Sequence, residues 1–214
     1  MVISDGRCVI IGASPEAGID FIKRQIKDND YIICADGGAD HLVGSDIVPD
    51  LIIGDLDSSK NYSFFKETNI TVLPTQKDDT DTMYCTKKAL NDGFKKFLYL
   101  GVTGGRVDHT LANLSVLLYL REYGAYGVIS DEFADTSLLC NGENILSDVK
   151  GKTISVMPFA CNSVCLSYEG MFYPMSNGTV KVEYPFTISN VADRDSVRIT
   201  LHSGTALLVI VRKG

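Results

Sequence analysis

Residues 54–59 read Gly-Asp-Leu-Asp-Ser-Ser, directly after the apolar run Leu51-Ile52-Ile53. A short buried strand that ends in two carboxylates one residue apart points Asp55 and Asp57 the same way while the chain stays extended, because side chains alternate with a period of two. Like charges so close repel unless protons or a cation relieve them. A hard divalent ion with oxygen ligands does this, and a nucleoside triphosphate brings such an ion with it. These residue types at this spacing suit metal-assisted phosphoryl transfer.

Other segments end in similar turns. Arg7–Ile11 runs into Gly12-Ala13-Ser14-Pro15, and Tyr31–Ala35 into Asp36-Gly37-Gly38-Ala39-Asp40. Ile70–Leu73 leads through Pro74-Thr75-Gln76 to Lys77-Asp78-Asp79-Thr80-Asp81, and Lys96–Leu100 into Gly101-Val102-Thr103-Gly104-Gly105-Arg106-Val107-Asp108-His109. Each preceding segment is short, rich in Val, Ile, Leu or aromatics, and closed by Gly, Asp or Pro, which reads as a strand. Ala125–Ser130 makes a sixth. Helical patterns lie between them: one opened by Ser14-Pro15, one over Ser58–Glu67, and the clearest over Asp78–Asn91 and Asp108–Glu122, the last with apolar Leu111, Leu114, Val116, Leu117, Leu118 and Leu120. Alternating strands and helices predict a mostly parallel sheet with helices on both faces. In such sheets ligands sit outside the carboxyl ends of the strands, so these turns converge on one site.

Taken singly, the pieces have simpler roles. Asp57, Asp108 and the pair Asp78/Asp81 could cap helices, Gly37-Gly38 could be a tight turn, Arg106 could be solvated, and His109 could pair with a carboxylate. Taken together, so many carboxylates at one rim would repel one another as mere caps, which favours a bound cation.

Beyond about residue 132 the texture changes to short β-like runs: Ser137–Cys140, Thr153–Met157, Ser163–Ser167, Thr179–Val182, Ser196–Leu201 and Ala206–Val211, separated by turn dipeptides such as Asn177-Gly178 and Ser203-Gly204. This predicts a small antiparallel sandwich or barrel over 133–214, after an α/β domain over 1–132.

Composition narrows the function classes. Of 214 residues, 45% are apolar and 22% charged, with a net charge of −7. Such an acidic chain, without a Lys/Arg cluster, is not expected to bind nucleic acid or an anionic membrane. No apolar stretch approaches the ~20 residues of a membrane span, and the N-terminus lacks a signal-peptide pattern. The six cysteines form no C-x-x-C pair, so free thiols in a reducing cytoplasm are expected. There is no G-x-x-x-x-G-K-[ST], no G-x-G-x-x-G and no nucleophile elbow.

Four motifs, Ala-Asp-Gly-Gly-Ala-Asp (35–40), Gly-Asp-Leu-Asp-Ser (54–58), Lys-Asp-Asp-Thr-Asp (77–81) and Gly-Gly-Arg-Val-Asp-His-Thr-Leu-Ala-Asn (104–113), resemble those of the thiamine pyrophosphokinase family in order and spacing. The resemblance extends to Ile154–Pro158, Gly170–Pro174 and Ser189-Asn190. It implies an α/β catalytic domain, a C-terminal β-sandwich, and a homodimer with active sites at the subunit interface. It implies the reaction of ATP and thiamine to thiamine diphosphate and AMP with Mg2+. By this resemblance Asp55, Asp57 and Asp81 would hold the metal, with Arg106 and Asp108 also catalytic. Ser14, Asp36, Gly37, Gly38, Thr103, Arg106, His109 and Asn113 would bind ATP, and Asp78, Asp81, Ser189 and Asn190 would bind thiamine. The chain departs from the family pattern in having Thr187-Ile188 where a Gly is expected before Ser189-Asn190, and in lacking Trp.

Other readings stay open at this point. Asp55-Leu56-Asp57 also resembles the D-x-D of haloacid-dehalogenase-type phosphatases, whose first Asp is a nucleophile, although Ser59 stands where Thr or Val is usual. A sugar-nucleotide transferase with a D-x-D metal site leaves 104–109 unexplained. A nucleotide- or thiamine-sensing protein on the same scaffold would need no intact acidic set.

Overall fold

The computed structural model describes residues 6–55, 61–66, 68–74 and 78–212. The chain divides into two compact units, Met1–Glu132 and Phe133–Gly214.

In the first unit the apolar runs become strands: β1 (Arg7–Ile11), β2 (Tyr31–Ala35), β3 (Leu51–Gly54), β4 (Asn69–Val72), β5 (Lys96–Leu100) and β6 (Tyr126–Ser130). They lie in the order β4-β3-β2-β1-β5-β6, and every neighbouring pair is parallel. The chain therefore steps outward from β1 in one direction and later from β5 in the other, which makes the β1–β5 boundary the switch point of the sheet. Among the described residues three helices connect the strands: α1 (Ile19–Gln25), α2 (Asp81–Asn91) and α3 (Val107–Glu122).

Both faces of the sheet are covered. Val9 and Ile11 of β1 and Leu98 and Leu100 of β5 share one buried cluster with Phe21 and Ile22 of α1. Tyr99, between those two leucines, faces the other side by strand alternation. There its hydroxyl meets Thr86 Oγ1 of α2 at 3.0 Å, and Thr86 in turn donates to the carbonyl of Thr82. Burial pushes the Tyr99 phenol above its usual range, so it stays a neutral tie between helix and sheet.

Helix starts differ from the sequence reading. The helix expected from Ser14-Pro15 begins at Ile19, because Ser14 N–H donates to the carbonyl of Gly101 at 2.9 Å and ties the turn to the end of β5. The one expected from Asp78 begins at Asp81, with Thr80 as its cap: Thr80 Oγ1 accepts from Met83 N–H at 3.2 Å. A threonine hydroxyl in an extended residue satisfies an otherwise orphaned first-turn N–H. Asp108 is likewise inside α3, which is preceded by Arg106. The face of α3 that packs inward carries Asn113, Val116, Leu117 and Leu120, while Leu111 is exposed. Of the helix expected over Ser58–Glu67, residues 58–60 and 67 lie outside the described ones, and Tyr62–Phe64 form a 3-10 turn.

The second unit holds two antiparallel sheets. One runs β7 (Ala134–Leu138), β14 (Ala206–Val211), β9 (Thr153–Pro158), β12 (Asn190–Val191). The other runs β8 (Gly142–Leu146), β13 (Val197–Ser203), β10 (Ser163–Glu169), β11 (Met175–Lys181). Alternate residues of β10 are buried, and Val164, Leu166 and Tyr168 join Ile154, Val156, Val197, Ile199 and Leu201 in one core. This is a β-sandwich core, built from the inner faces of two sheets. The sequence reading missed β8 and β12. Gly-Glu-Asn-Ile-Leu has no apolar alternation, and β12 has only two residues.

Candidate active site

At the switch point two glycines replace side chains with backbone. Gly12, after β1, donates to the carbonyl of Leu100 at 2.8 Å. A Cβ on Gly12 would lie 2.6 Å from the carbonyl oxygen of Gly101, and a Cβ on Gly101 equally close to that of Gly12. The two strand ends therefore pass at backbone contact, and the crevice beyond them stays open. A cleft of about 530 Å³ begins there. Its walls come from the β1 turn (Gly12–Pro15), the end of β2 (Ala35, Asp36), the start of α2 (Thr80, Asp81, Thr82), and the β5–α3 loop with the first turns of α3 (Arg106, His109, Asn113).

Asp36 is buried at 9% exposure and sits in the left-handed region at φ 46°. A non-glycine residue held there costs energy, and such strain gathers where side-chain direction matters. It opens the 3-10 segment Asp36–Leu42, which replaces the simple turn the sequence suggested. Gly54, just before Asp55, packs against it: a Cβ there would be 2.6 Å from Asp36 Oδ1. The ends of β2 and β3 thus approach through a glycine. Asp55 itself is half-buried. Asp57 lies outside the described residues.

The cleft wall is braced by short polar links. Ser14 Oγ donates to the carbonyl of Thr103. Thr103 Oγ1 donates to Asp131 at 2.9 Å. Asn113 Nδ2, buried, donates to the carbonyl of Val102 at 2.7 Å, pinning α3 to the exit of β5. Thr103 and Asn113 therefore hold loop geometry whatever else they do. Asp131, Thr80 and Glu16 were not singled out from sequence; Thr80, just ahead of an apolar helical pattern, had a readable capping signal.

Of the sequence-predicted residues, Ser14, Asp36, Asp81, Arg106, His109 and Asn113 line the cleft. Gly37, Gly38, Asp55, Asp78, Thr103 and Asp108 do not. Gly38 instead packs on β1: a Cβ there would lie 2.1 Å from the Ile11 carbonyl oxygen. Asp108 forms an exposed ion pair with Arg106, 2.5 Å between Nη2 and Oδ2. The hydrogen bond from Arg106 holds the Asp108 carboxyl down at about 2. Asp79 is paired with Lys87 at 2.7 Å. The repulsion inferred from sequence is thus relieved partly by local cations. Among the described residues no group of three or more His, Cys, Asp or Glu side chains is placed to hold a metal ion. Asp36 and Asp81 nevertheless bring two hard oxygen donors to the cleft, and Mg2+ is commonly held by one or two carboxylates together with substrate phosphates.

Residues 22–126 match the family model described as thiamin pyrophosphokinase, catalytic domain. Similarity to curated relatives extends over almost the whole chain. Thiamine pyrophosphokinase of Bacillus subtilis (strain 168) is 24% identical over 208 residues, 95% of this chain and 96% of the relative. Residues 22–126 thus carry the catalytic-domain pattern of the thiamine pyrophosphokinase family. Thiamin pyrophosphokinase 1 of Caenorhabditis elegans is 23% identical over 213 residues, 94% of this chain and 86% of that protein. In fold, the crystal structure of the Bacillus subtilis thiamine pyrophosphokinase superposes with a TM-score of 0.87 at 21% identity, covering 98% of this chain and 100% of that one. The parallel sheet with helices and the β-sandwich are thus the architecture of this family.

In the sandwich unit, the two thiamine pyrophosphokinase-like positions differ from each other. Ser189 is exposed and left-handed at φ 57°. Asn190 is buried: its Oδ1 accepts from the N–H groups of Tyr173 and Val191, and its Nδ2 donates to the carbonyl of Tyr173. It staples a loop carrying exposed Phe172 and Tyr173.

His41 lies in the last turn of the 3-10 segment that Asp36 opens. Its Nε2 is buried without a partner. Burial lowers its pKa below the usual 6.5, outweighing nearby Asp40 and a hydrogen bond at the Ser14 backbone. The unfolded chain therefore takes up this proton first as pH falls, so the fold loses stability from about pH 6.5 downward until the depressed value is passed. Melting temperature should drop between about pH 7.5 and 5.5, and His41→Gln should flatten that part of the profile. An equal drop in the variant would assign the loss to other groups.

Proposed function

We propose that this chain transfers the diphosphoryl group of ATP to the hydroxyl of thiamine, giving thiamine diphosphate and AMP, in the cleft at the carboxyl ends of β1, β2 and β5. The catalytic-domain pattern supports the reaction. The observation that carries the location is that residues of three of the four acidic and glycine-rich motifs meet on one cleft wall: Asp36, Thr80-Asp81, and Arg106 with His109 and Asn113.

In the transfer, the thiamine oxygen bonds to the β-phosphorus while the bond from that phosphorus to the α,β-bridging oxygen breaks. The hydroxyl proton passes to one of the cleft carboxylates, and AMP leaves with the bond's electron pair. Reactions of this kind depend on positioning and on spreading phosphate charge. Asp36 and Asp81, with Asp55 and Asp57, would hold Mg2+, which supplies neutralisation of the phosphate oxygens when bound. Arg106 is a fork-shaped donor suited to phosphate oxygens; to reach them it exchanges its exposed partner Asp108, a weakly held one in water. Gly12–Pro15 and the wall set by Ser14, Thr103 and Asn113 leave room for the nucleotide. Asp78, one turn ahead of α2, would contact thiamine.

On the thiamine side, Ser189 offers an exposed hydroxyl, and Asn190 acts by holding Phe172 and Tyr173, whose ring faces suit a cationic thiazolium. These aromatics take the part for which a Trp was absent. We place this surface in a homodimer, facing the cleft of the partner subunit. Six free cysteines, three of them buried, fit a reducing compartment such as the cytoplasm. Among the described residues no helix is long and apolar enough to cross a membrane.

The test of the reaction is AMP formation that requires both ATP and thiamine and matches thiamine diphosphate mole for mole. Phosphate release with a trapped acyl-phosphate on Asp55 would replace this reading with the phosphatase one. The shared site has its own test. Asp55→Asn and Ser189→Ala/Asn190→Ala proteins, each inactive alone, should regain up to about a quarter of wild-type activity per site when mixed and re-associated. No recovery, with mixed dimers present, would confine each site to one subunit.

A further inference from the structure

Gly104 and Gly105 both lie in the left-handed region, at φ 87° and 64°. Consecutive residues in such turn conformations direct backbone N–H groups into a concavity that suits an anion. The Gly104 N–H is taken by Thr110 Oγ1 at 3.2 Å, inside the loop. The Gly105 N–H is taken by a carboxylate of the chain itself: it donates to Glu16 Oε1 at 3.1 Å, across 89 residues of sequence. The other carboxylate oxygen lies against the same turn. A Cβ on Gly104 would be 2.2 Å from Glu16 Oε2 and 2.5 Å from Glu16 Cδ, so the carboxylate lies where a side chain at 104 would stand.

Glu16 is exposed, but its backbone is not loose. It follows Ser14 and Pro15 in the turn held to β5 by the Ser14 N–H and by the Ser14 hydroxyl on Thr103. The carboxylate is thereby carried to the mouth of the cleft, beside Pro15, Gly104, Gly105 and Arg106 of its wall. On the next residue, the Arg106 guanidinium is held by Asp108. Two donors of this loop, the Gly105 N–H and the Arg106 guanidinium, are therefore engaged by acidic side chains of the chain.

We propose that Glu16 sets the polyphosphate affinity of the cleft: its carboxylate occupies the Gly105 N–H that a phosphate oxygen takes on binding, and the phosphate must displace it. This rests on the cleft being the nucleotide site. Glu16 stands outside all four motifs, and its effect is opposite in sign to theirs. A residue that merely shaped the loop, or that helped to hold a nucleotide, would weaken binding when removed; an internal competitor strengthens it.

The experiment is calorimetric titration of the full chain with inorganic tripolyphosphate and, separately, with adenosine. Glu16→Ala should bind tripolyphosphate on the order of fivefold more tightly than wild type, the scale of one surface carboxylate at an exposed backbone donor. Glu16→Gln, which keeps an acceptor and loses the charge, should fall between them, and adenosine affinity should not move. Unchanged or weaker tripolyphosphate binding by Glu16→Ala, no binding to either protein, or a parallel change for adenosine would overturn the proposal. If tripolyphosphate tightens as expected while AMP formation with thiamine is absent in wild type, the role of Glu16 stands and the proposed reaction falls.

Discussion

Asp55→Asn should lower turnover with ATP and thiamine by on the order of 10²-fold or more, with little change in unfolding temperature. The substitution removes a charge and keeps the shape. Asp55 immediately follows Gly54, whose Cα packs against the strained Asp36 that lines the cleft. On the proposed reaction, a carboxylate at that junction would act on charge that develops across the phosphates. Its loss should therefore appear in kcat more than in thiamine affinity, since binding without charge development uses it less. A coupled assay of AMP release measures the rate, and calorimetry with thiamine and a non-hydrolysable ATP analogue measures the affinity. Turnover near the wild-type level would remove Asp55 from the mechanism. A rate loss matched by a collapse in melting temperature would make its role structural.

The second large effect is on stability. Gly38→Ala should destabilise the fold by about 3 kcal/mol or more, equivalent to roughly 6–12 °C in a domain of this size. The added Cβ would lie 2.1 Å from the Ile11 carbonyl oxygen and 2.8 Å from its carbon, both backbone atoms at the end of β1. No side-chain rotation relieves a contact between backbone and backbone, so either the 3-10 segment or the strand must move. Gly44→Ala makes a useful contrast. Gly44 is left-handed at φ 78° and has nothing within 4 Å of its Cβ position, so only the conformational cost of about 1 kcal/mol applies. Denaturant unfolding of both variants decides the matter: equal, small losses would show that the β1–3-10 contact yields without cost. The smallness of Gly38 thus serves the packing of the 3-10 segment on the end of β1.

The strands of the first unit were readable because buried parallel strands must be continuous apolar runs, and β1, β2, β3 and β5 begin and end where those runs do. The position of the cleft was readable too, since polar turns gather at the carboxyl edge of any such sheet. Helix starts were less so. Ser14 was drawn to the Gly101 carbonyl across 87 residues, and the choice between Asp78 and Thr80 as cap depended on which backbone turned extended. In the sandwich, Gly142–Leu146 carried no alternation because β8 lies at the edge of its sheet, where one side of the ladder and much of its side-chain surface face water.

Residue order alone therefore determined the fold class, the family pattern and the set of acidic and glycine-rich segments around the cleft, because local patterning and motif spacing are properties of the chain. Tertiary structure decided which of those carboxylates face the cleft and which are neutralised by a neighbour, as Asp79 is by Lys87 and Asp108 by Arg106. It also brought Glu16 onto Gly105. Such pairings depend on distances of a few ångströms between residues far apart in sequence, and electrostatic partnership follows distance.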